Sequence, residues 1–324
     1  MTELGTTLNG QHATRPHTAG PRGAGGHPIG QHPAGPHQGG QPPAAEHPTA
    51  EASADEHPAA EESTGQPPAA QRPTARQGGQ QQNGGHRTTP AGPRPSVLIA
   101  TRHGESTANV EFQLAAETGA LTVPIGCRDA DIPLSMHGQQ QARALGRWWA
   151  ALPATDRPRS VWCSPYVRTV ETARIALAQA AGLGAVPVSL AVRHDERLRD
   201  RELGVLEMLT GAAIEAEHPA EAARRRKMGE LYYRPPGGES WSDVALRVRS
   251  CLRDLCEAED GRPVLLVAHD CTVLMLRYVL DRLTERQLLD LEQVRNCSTS
   301  VWRAAEGGLS AECWNSTDHL AAAG

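Results

Sequence analysis

The sequence predicts an α/β protein: a three-layer α/β/α sandwich with a mainly parallel sheet, preceded by a disordered tail. Three observations predict it. From residue 96 onward, short apolar runs of strand type alternate with amphipathic helical stretches, the pattern of strand–helix–strand units. One run, Pro263 to Ala268 (PVLLVA), is apolar throughout, which suits a strand covered on both faces. Residues 1–95 hold no Phe, Tyr, Trp or Cys, yet contain 15 of the 25 Pro, 16 of the 32 Gly and 8 of the 14 His. Such a segment cannot bury enough apolar area to offset chain entropy, so disorder is expected over 1–95. Residues 96–324 carry every aromatic residue and all seven Cys, and a chain of that length can build one core. One folded domain is expected there.

The elements follow in order. Ser96 to Thr101 (SVLIAT) reads as the first strand. Leu134-Ser135 opens a helix whose Ala142, Leu145 and Trp149 share one stripe. Ser160 to Cys163 (SVWC) is a second strand, followed by a helix from about Val167 to Ala181, and a third strand is expected over Val186 to Val192. Ser240 with Asp243 forms a capping box for a helix carrying Trp241, Val244, Val248, Leu252 and Leu255. After PVLLVA comes a helix from about Thr272 to Leu280. Strands near Thr299 to Arg303 and Leu309 to Trp314, joined at Gly307-Gly308, close the chain as a hairpin.

Composition narrows the function. No apolar run approaches the length that spans a bilayer, and the opening MTELGTTLNGQ lacks the basic and apolar regions of a secretory signal. An odd number of Cys, widely spaced and without CxxC pairs, points to reduced thiols in a cytoplasm. The formal net charge of −5 argues against a general nucleic-acid surface. No membrane or nucleic-acid partner is expected, and homodimerisation is left open. The eight tail histidines could chelate a transition metal weakly, but no HxH or HxxxH cluster supports that over a solvated spacer.

Chemistry concentrates at strand ends. The first strand runs into Thr101-Arg102-His103-Gly104-Glu105-Ser106, the second into Ser164-Pro165-Tyr166-Val167-Arg168-Thr169, and PVLLVA into His269-Asp270. In parallel sheets, sites form beyond the carboxyl ends of the strands. Two guanidiniums can clamp phosphoryl oxygens bidentately, one imidazole can attack phosphorus, and a second can hydrogen-bond the charge that develops. Gly104 reads as a place where backbone approaches a ligand closely.

These segments resemble the histidine phosphatase superfamily, which includes the cofactor-dependent phosphoglycerate mutases. The resemblance rests on LIATRHGESTAN (98–109), CSPYVRTVETA (163–173), LRDRELGVLE (198–207), RPPGGESWSDVALRV (234–248) and LLVAHD (265–270), and covers nearly all of 96–324. It implies that His103 is the nucleophile and becomes a phosphohistidine. Arg102, Arg168 and His269 complete the phosphate pocket, and Asn109 lies near it. Glu239 serves as pocket wall or positioning group. The proton donor falls in the LRDRELG block, where the family usually carries Glu and this sequence has Asp200; Glu202 and Glu207 are the alternatives, Glu207 matching rather a structural position. No cofactor and no metal is implied.

Each residue also has a plainer reading. His103 could be a hydrogen-bonded structural histidine, and His269 could merely cap the next helix. Arg168 could pair with Glu171, and Asp200 could be one more surface carboxylate. The run Arg224-Arg225-Arg226-Lys227 reads as a solvated helix face. The expected function is hydrolysis of a small phosphorylated metabolite through a phosphohistidine. The alternatives are mutase-type phosphoryl transfer, for which the acidic residues between Glu207 and Pro235 are unpromising, and a non-catalytic phospho-ligand binding module.

Overall fold

The structure is a computed structural model and describes residues 92–321. The expectation of a disordered tail therefore lies outside the described residues, apart from the four that precede Ser96, which belong to no helix or strand. In chain order the elements are β1 (Val97–Arg102), α1 (Thr107–Thr118), α2 (Met136–Ala151), β2 (Ser160–Cys163), α3 (Val167–Gly182), β3 (Val192–His194), α4 (Gly211–Glu217), α5 (Pro219–Met228), α6 (Trp241–Ala258), β4 (Pro263–Ala268), α7 (Asp270–Leu280), α8 (Glu285–Leu289), β5 (Thr299–Ala305), β6 (Gly308–Ser316) and α9 (Asp318–Ala321).

The six strands form one sheet in the order β3-β2-β4-β1-β5-β6. The first four run parallel, whereas β5 lies antiparallel to β1 and to β6. Successive side chains of a strand point to opposite faces. Val97, Ile99, Val161, Cys163, Leu265 and Val267 pack on Trp149 of α2 and Ala173, Leu177 and Ala180 of α3. Leu98, Ala100, Trp162, Val264, Leu266 and Ala268 pack on the opposite side against Val244, Val248 and Leu255 of α6 and Val273 to Leu276 of α7. The sheet is thus the middle of three layers, and β1 and β4 are buried along their whole length.

Local signals set the helix starts. Ser106 and Asn109 form a reciprocal capping box at α1, Ser135 accepts from the Gly138 amide at α2, and Ser240 with Asp243 caps α6 as the sequence predicts. The third strand is shorter than expected. Pro187 to Leu190 forms a turn closed by the Leu190 amide on the Pro187 carbonyl at 3.1 Å, so only the last residue of the expected stretch joins β3. The basic run of α5 is not uniformly solvated either: Arg225 is buried and lies fork-on to Glu230, with two contacts of 2.6 Å. Among the described residues, no helix is long and apolar enough to cross a membrane.

Candidate active site

Strand order builds the site. β2, β4 and β1 are neighbours, and Arg102 pairs with Ala268 while Cys163 pairs with Val267. The residues that follow them (His103, His269 and Ser164) therefore leave the sheet side by side. The His103 amide continues the ladder onto the Ala268 carbonyl at 2.9 Å, and the two imidazoles meet edge to face with centroids 5.2 Å apart. Both rings are buried, as are Arg102 and Arg168.

His103 Nδ1 lies 2.6 Å from the Gly104 carbonyl oxygen. A carbonyl only accepts, so Nδ1 carries the proton and Nε2 keeps its lone pair. Burial, then Arg168, Arg102 and His269, hold the ring well below the ordinary histidine range. It is neutral near pH 7, the state a nucleophile needs. His269 is likewise depressed, by burial first and then by Arg168, Arg247 and Arg102. Its Nε2 meets Ser164 Oγ at 2.8 Å, and its buried Nδ1 has no hydrogen-bond partner.

The guanidiniums come from two directions. Arg102 donates through Nη1 to the Val294 carbonyl at 2.7 Å, and its Nε is buried without a partner. Asp270 holds the same residue from its other side by accepting from the Val294 amide at 3.1 Å. Arg168, one residue into α3, packs on Tyr166 and donates to Asp129 and Asp200 rather than to Glu171, which accepts from the Leu134 amide. Burial opposes the Arg168 charge, and the two carboxylates more than offset it.

Asp200 sits between the two halves. Its Oδ2 lies 3.1 Å from Arg168 Nη2 and 3.4 Å from His269 Nδ1. Its main chain is pinned by Arg247, which donates to the carbonyls of Arg197, Arg199 and Asp200 at 2.7–3.0 Å. Glu239 orients Arg247: its two oxygens accept from Arg247 Nε and Nη2, and also from Arg199 and the Glu202 amide. Glu239 is thus a positioning group. Asn109 uses its carboxamide oxygen twice, accepting from the Ser106 amide and from Asn296, which also holds the His103 carbonyl.

Gly104 has a role other than the one its sequence suggests. A Cβ there would lie 2.5 Å from the Gly138 carbonyl oxygen, so it admits the first turn of α2 rather than a ligand. Sequence reasoning missed Asp129, Arg247, Asn296 and Ser164. Two carried a readable signal: Ser164, directly after a strand within the CSPYVRT stretch, and Arg247, within the RPPGGESWSDVALRV block.

At the carboxyl ends of a parallel sheet the structure gathers two neutral imidazoles, two buried guanidiniums and one adjacent carboxylate, an arrangement whose chemistry suits a phosphoryl group. Residues 98–317 match the model of the histidine phosphatase superfamily, branch 1, and the chain belongs to that family. It is 31% identical over 199 residues to a 2,3-bisphosphoglycerate-dependent phosphoglycerate mutase of Gloeobacter violaceus, spanning 61% of this chain and 81% of that one. A second relative is the 6-phosphofructo-2-kinase/fructose-2,6-bisphosphatase of Gallus gallus, 28% identical over 59% of this chain and 34% of its own. Among solved structures, the mycobacterial glucosyl-3-phosphoglycerate phosphatase complexed with VO3 superposes with a TM-score of 0.54 and 28% identity, over 68% of this chain and all of that one.

Proposed function

We propose that this chain hydrolyses phosphomonoesters through a phosphohistidine on His103. The observation that carries the reading is the 2.6 Å contact of His103 Nδ1 with the Gly104 carbonyl, which leaves Nε2 unprotonated within 5.2 Å, ring to ring, of His269. Arg102, Arg168 and His269 bind the phosphoryl oxygens, and the Asn109 amide nitrogen adds a further donor. In the first step the Nε2 lone pair forms a bond to phosphorus as the ester P–O bond breaks, and the departing alcohol oxygen takes a proton from Asp200. In the second, water adds to phosphorus, the N–P bond breaks, and the water's proton returns to Asp200. Asp200 fits the acid better than Glu202 or Glu207 because its carboxylate lies beside both Arg168 and His269. Glu202 instead accepts from Tyr166 Oη, and Glu207 from the Leu203 amide.

The 31% identity to a mutase keeps phosphoryl transfer between two positions of one substrate as a second reading. Both are tested by one experiment. Phosphate release, mutase interconversion of 3- and 2-phosphoglycerate with catalytic bisphosphoglycerate, and an acid-labile phosphoenzyme are measured for the wild type and for His103→Ala. Hydrolysis that exceeds interconversion and vanishes with His103→Ala supports the proposal. Wild-type phosphate release by His103→Ala overturns it.

A further inference from the structure

The phosphate end of the pocket is cationic, but its surroundings carry the opposite sign. Asp129 and Asp200 both reach Arg168 Nη2, and each keeps about a quarter of its side chain exposed. Glu202 stands beside them, accepting from Tyr166 Oη at 3.1 Å, and the Tyr166 ring packs on His269 and under Arg168.

The neighbouring arginines are already engaged by protein groups. Arg128 lies fork-on to Asp131 at 2.8 and 3.0 Å. Arg199 faces Glu239 and also lies 3.6 Å from Glu202, Arg247 faces Glu239, and Arg201 donates to the carbonyls of Glu239 and Tyr233. Among the site's own residues, Arg102 Nε and His269 Nδ1 are buried without partners, and both residues would face the phosphoryl group. A dianionic phosphate therefore has a built seat, whereas a second anionic group on the same substrate would meet carboxylates. Like charges this close repel strongly where water is partly excluded.

Resting on the phosphomonoesterase reading, we infer that the pocket selects esters whose alcohol portion is neutral or cationic and rejects those carrying a second anion. Asp129, Asp200 and Glu202 supply the discrimination; Glu202 does so without touching the phosphoryl group. A positively charged alcohol, such as an amino alcohol, gains from the same wall.

The test compares kcat/KM for glycerol 3-phosphate and 3-phosphoglycerate, which differ by a carboxylate in place of a hydroxymethyl group, with phosphoethanolamine as the cationic probe. The wild type should favour glycerol 3-phosphate at least tenfold and accept phosphoethanolamine at least as well. Glu202→Gln should narrow the gap severalfold, and high salt should narrow it too. Equal or better use of 3-phosphoglycerate, with both esters requiring His103, overturns the inference and leaves the phosphatase reading standing. Absence of any His103-dependent hydrolysis overturns both.

Discussion

Asp129 and Asp200 converge on one nitrogen: Arg168 Nη2 lies 2.9 Å from the first carboxylate and 3.1 Å from the second. Asp129 also offers its main-chain carbonyl to Nη1. The guanidinium is held in place by anions that a phosphoryl group must displace. Burial raises the Asp129 pKa, and Asp200 adds to the rise while Arg168 opposes it. Neutralising Asp129 removes a competitor and leaves an amide that can still orient the arginine. Asp129→Asn should therefore tighten competitive inhibition by inorganic phosphate about three- to tenfold, or roughly 0.7–1.4 kcal/mol. Unchanged or weaker inhibition would show that Asp129 does not compete for Arg168.

Arg247 touches none of the reacting groups, yet it donates to the Asp200 carbonyl and to two more carbonyls just before it. Truncating it frees the segment that carries Asp200. The loss should then track leaving-group demand. Arg247→Ala should slow kcat for an alkyl phosphate about ten- to a hundredfold but spare p-nitrophenyl phosphate, whose leaving group needs little protonation. Asp200→Asn should give the same signature more strongly. A uniform loss on both esters would instead mark Arg247 as merely structural.

The contrast between Arg247 and His103 shows where the site was legible. Arg102 ends a strand, and His103, Arg168 and His269 follow strands, whose apolar runs are local and strong, so chain order alone places all four at the carboxyl end of the sheet. PVLLVA, the Ser240–Asp243 cap and the Gly307-Gly308 hairpin were readable for the same reason. Arg247 lies on the polar side of an amphipathic helix, where by periodicity alone a buried fork reads like any solvated arginine. Asp129 and Asn296 lie outside the helices and strands of regular period, and tertiary contact alone brings them to the pocket. The Val186 to Val192 stretch misled in the opposite direction, because its apolar content outweighed the turn that Pro187 begins.

Glu207 ties the site to stability. Burial and then the neighbouring carboxylates push its pKa up to about 7 from the usual 4.5. Between those values the folded chain holds a proton that the unfolded chain releases, so this group's contribution to stability falls as pH rises through the window. Above it, a half-buried charge remains. Glu207→Gln should be neutral near pH 5 and stabilising by roughly 1–3 kcal/mol near pH 8, a Tm gain of about 2–4 °C per kcal/mol. Thermal melts of both proteins at the two pH values check the sign. A gain that is the same at both would assign it to packing rather than charge.

The loop that carries His103 and α2 are joined where neither tolerates a side chain. A Cβ at Gly138 would lie 2.0 Å from the Glu105 carbonyl oxygen, and one at Gly104 would lie 2.5 Å from that of Gly138. Both obstructions are main chain, so relief requires moving the loop that carries His103 or the start of α2. That start is itself fastened: the Ser135 amide donates to the Glu105 carbonyl at 2.9 Å, and Ser135 Oγ to its carboxylate at 2.6 Å. Gly138→Ala should therefore destabilise by at least about 2 kcal/mol and lower kcat, even though alanine favours helices. Gly182→Ala is the control, since α3 ends there with nothing within 4 Å of the new methyl group. It should be neutral or stabilising by up to about 1 kcal/mol. Urea unfolding of both variants beside the wild type decides the matter: equal behaviour would mean that the loop and α2 are not rigidly joined.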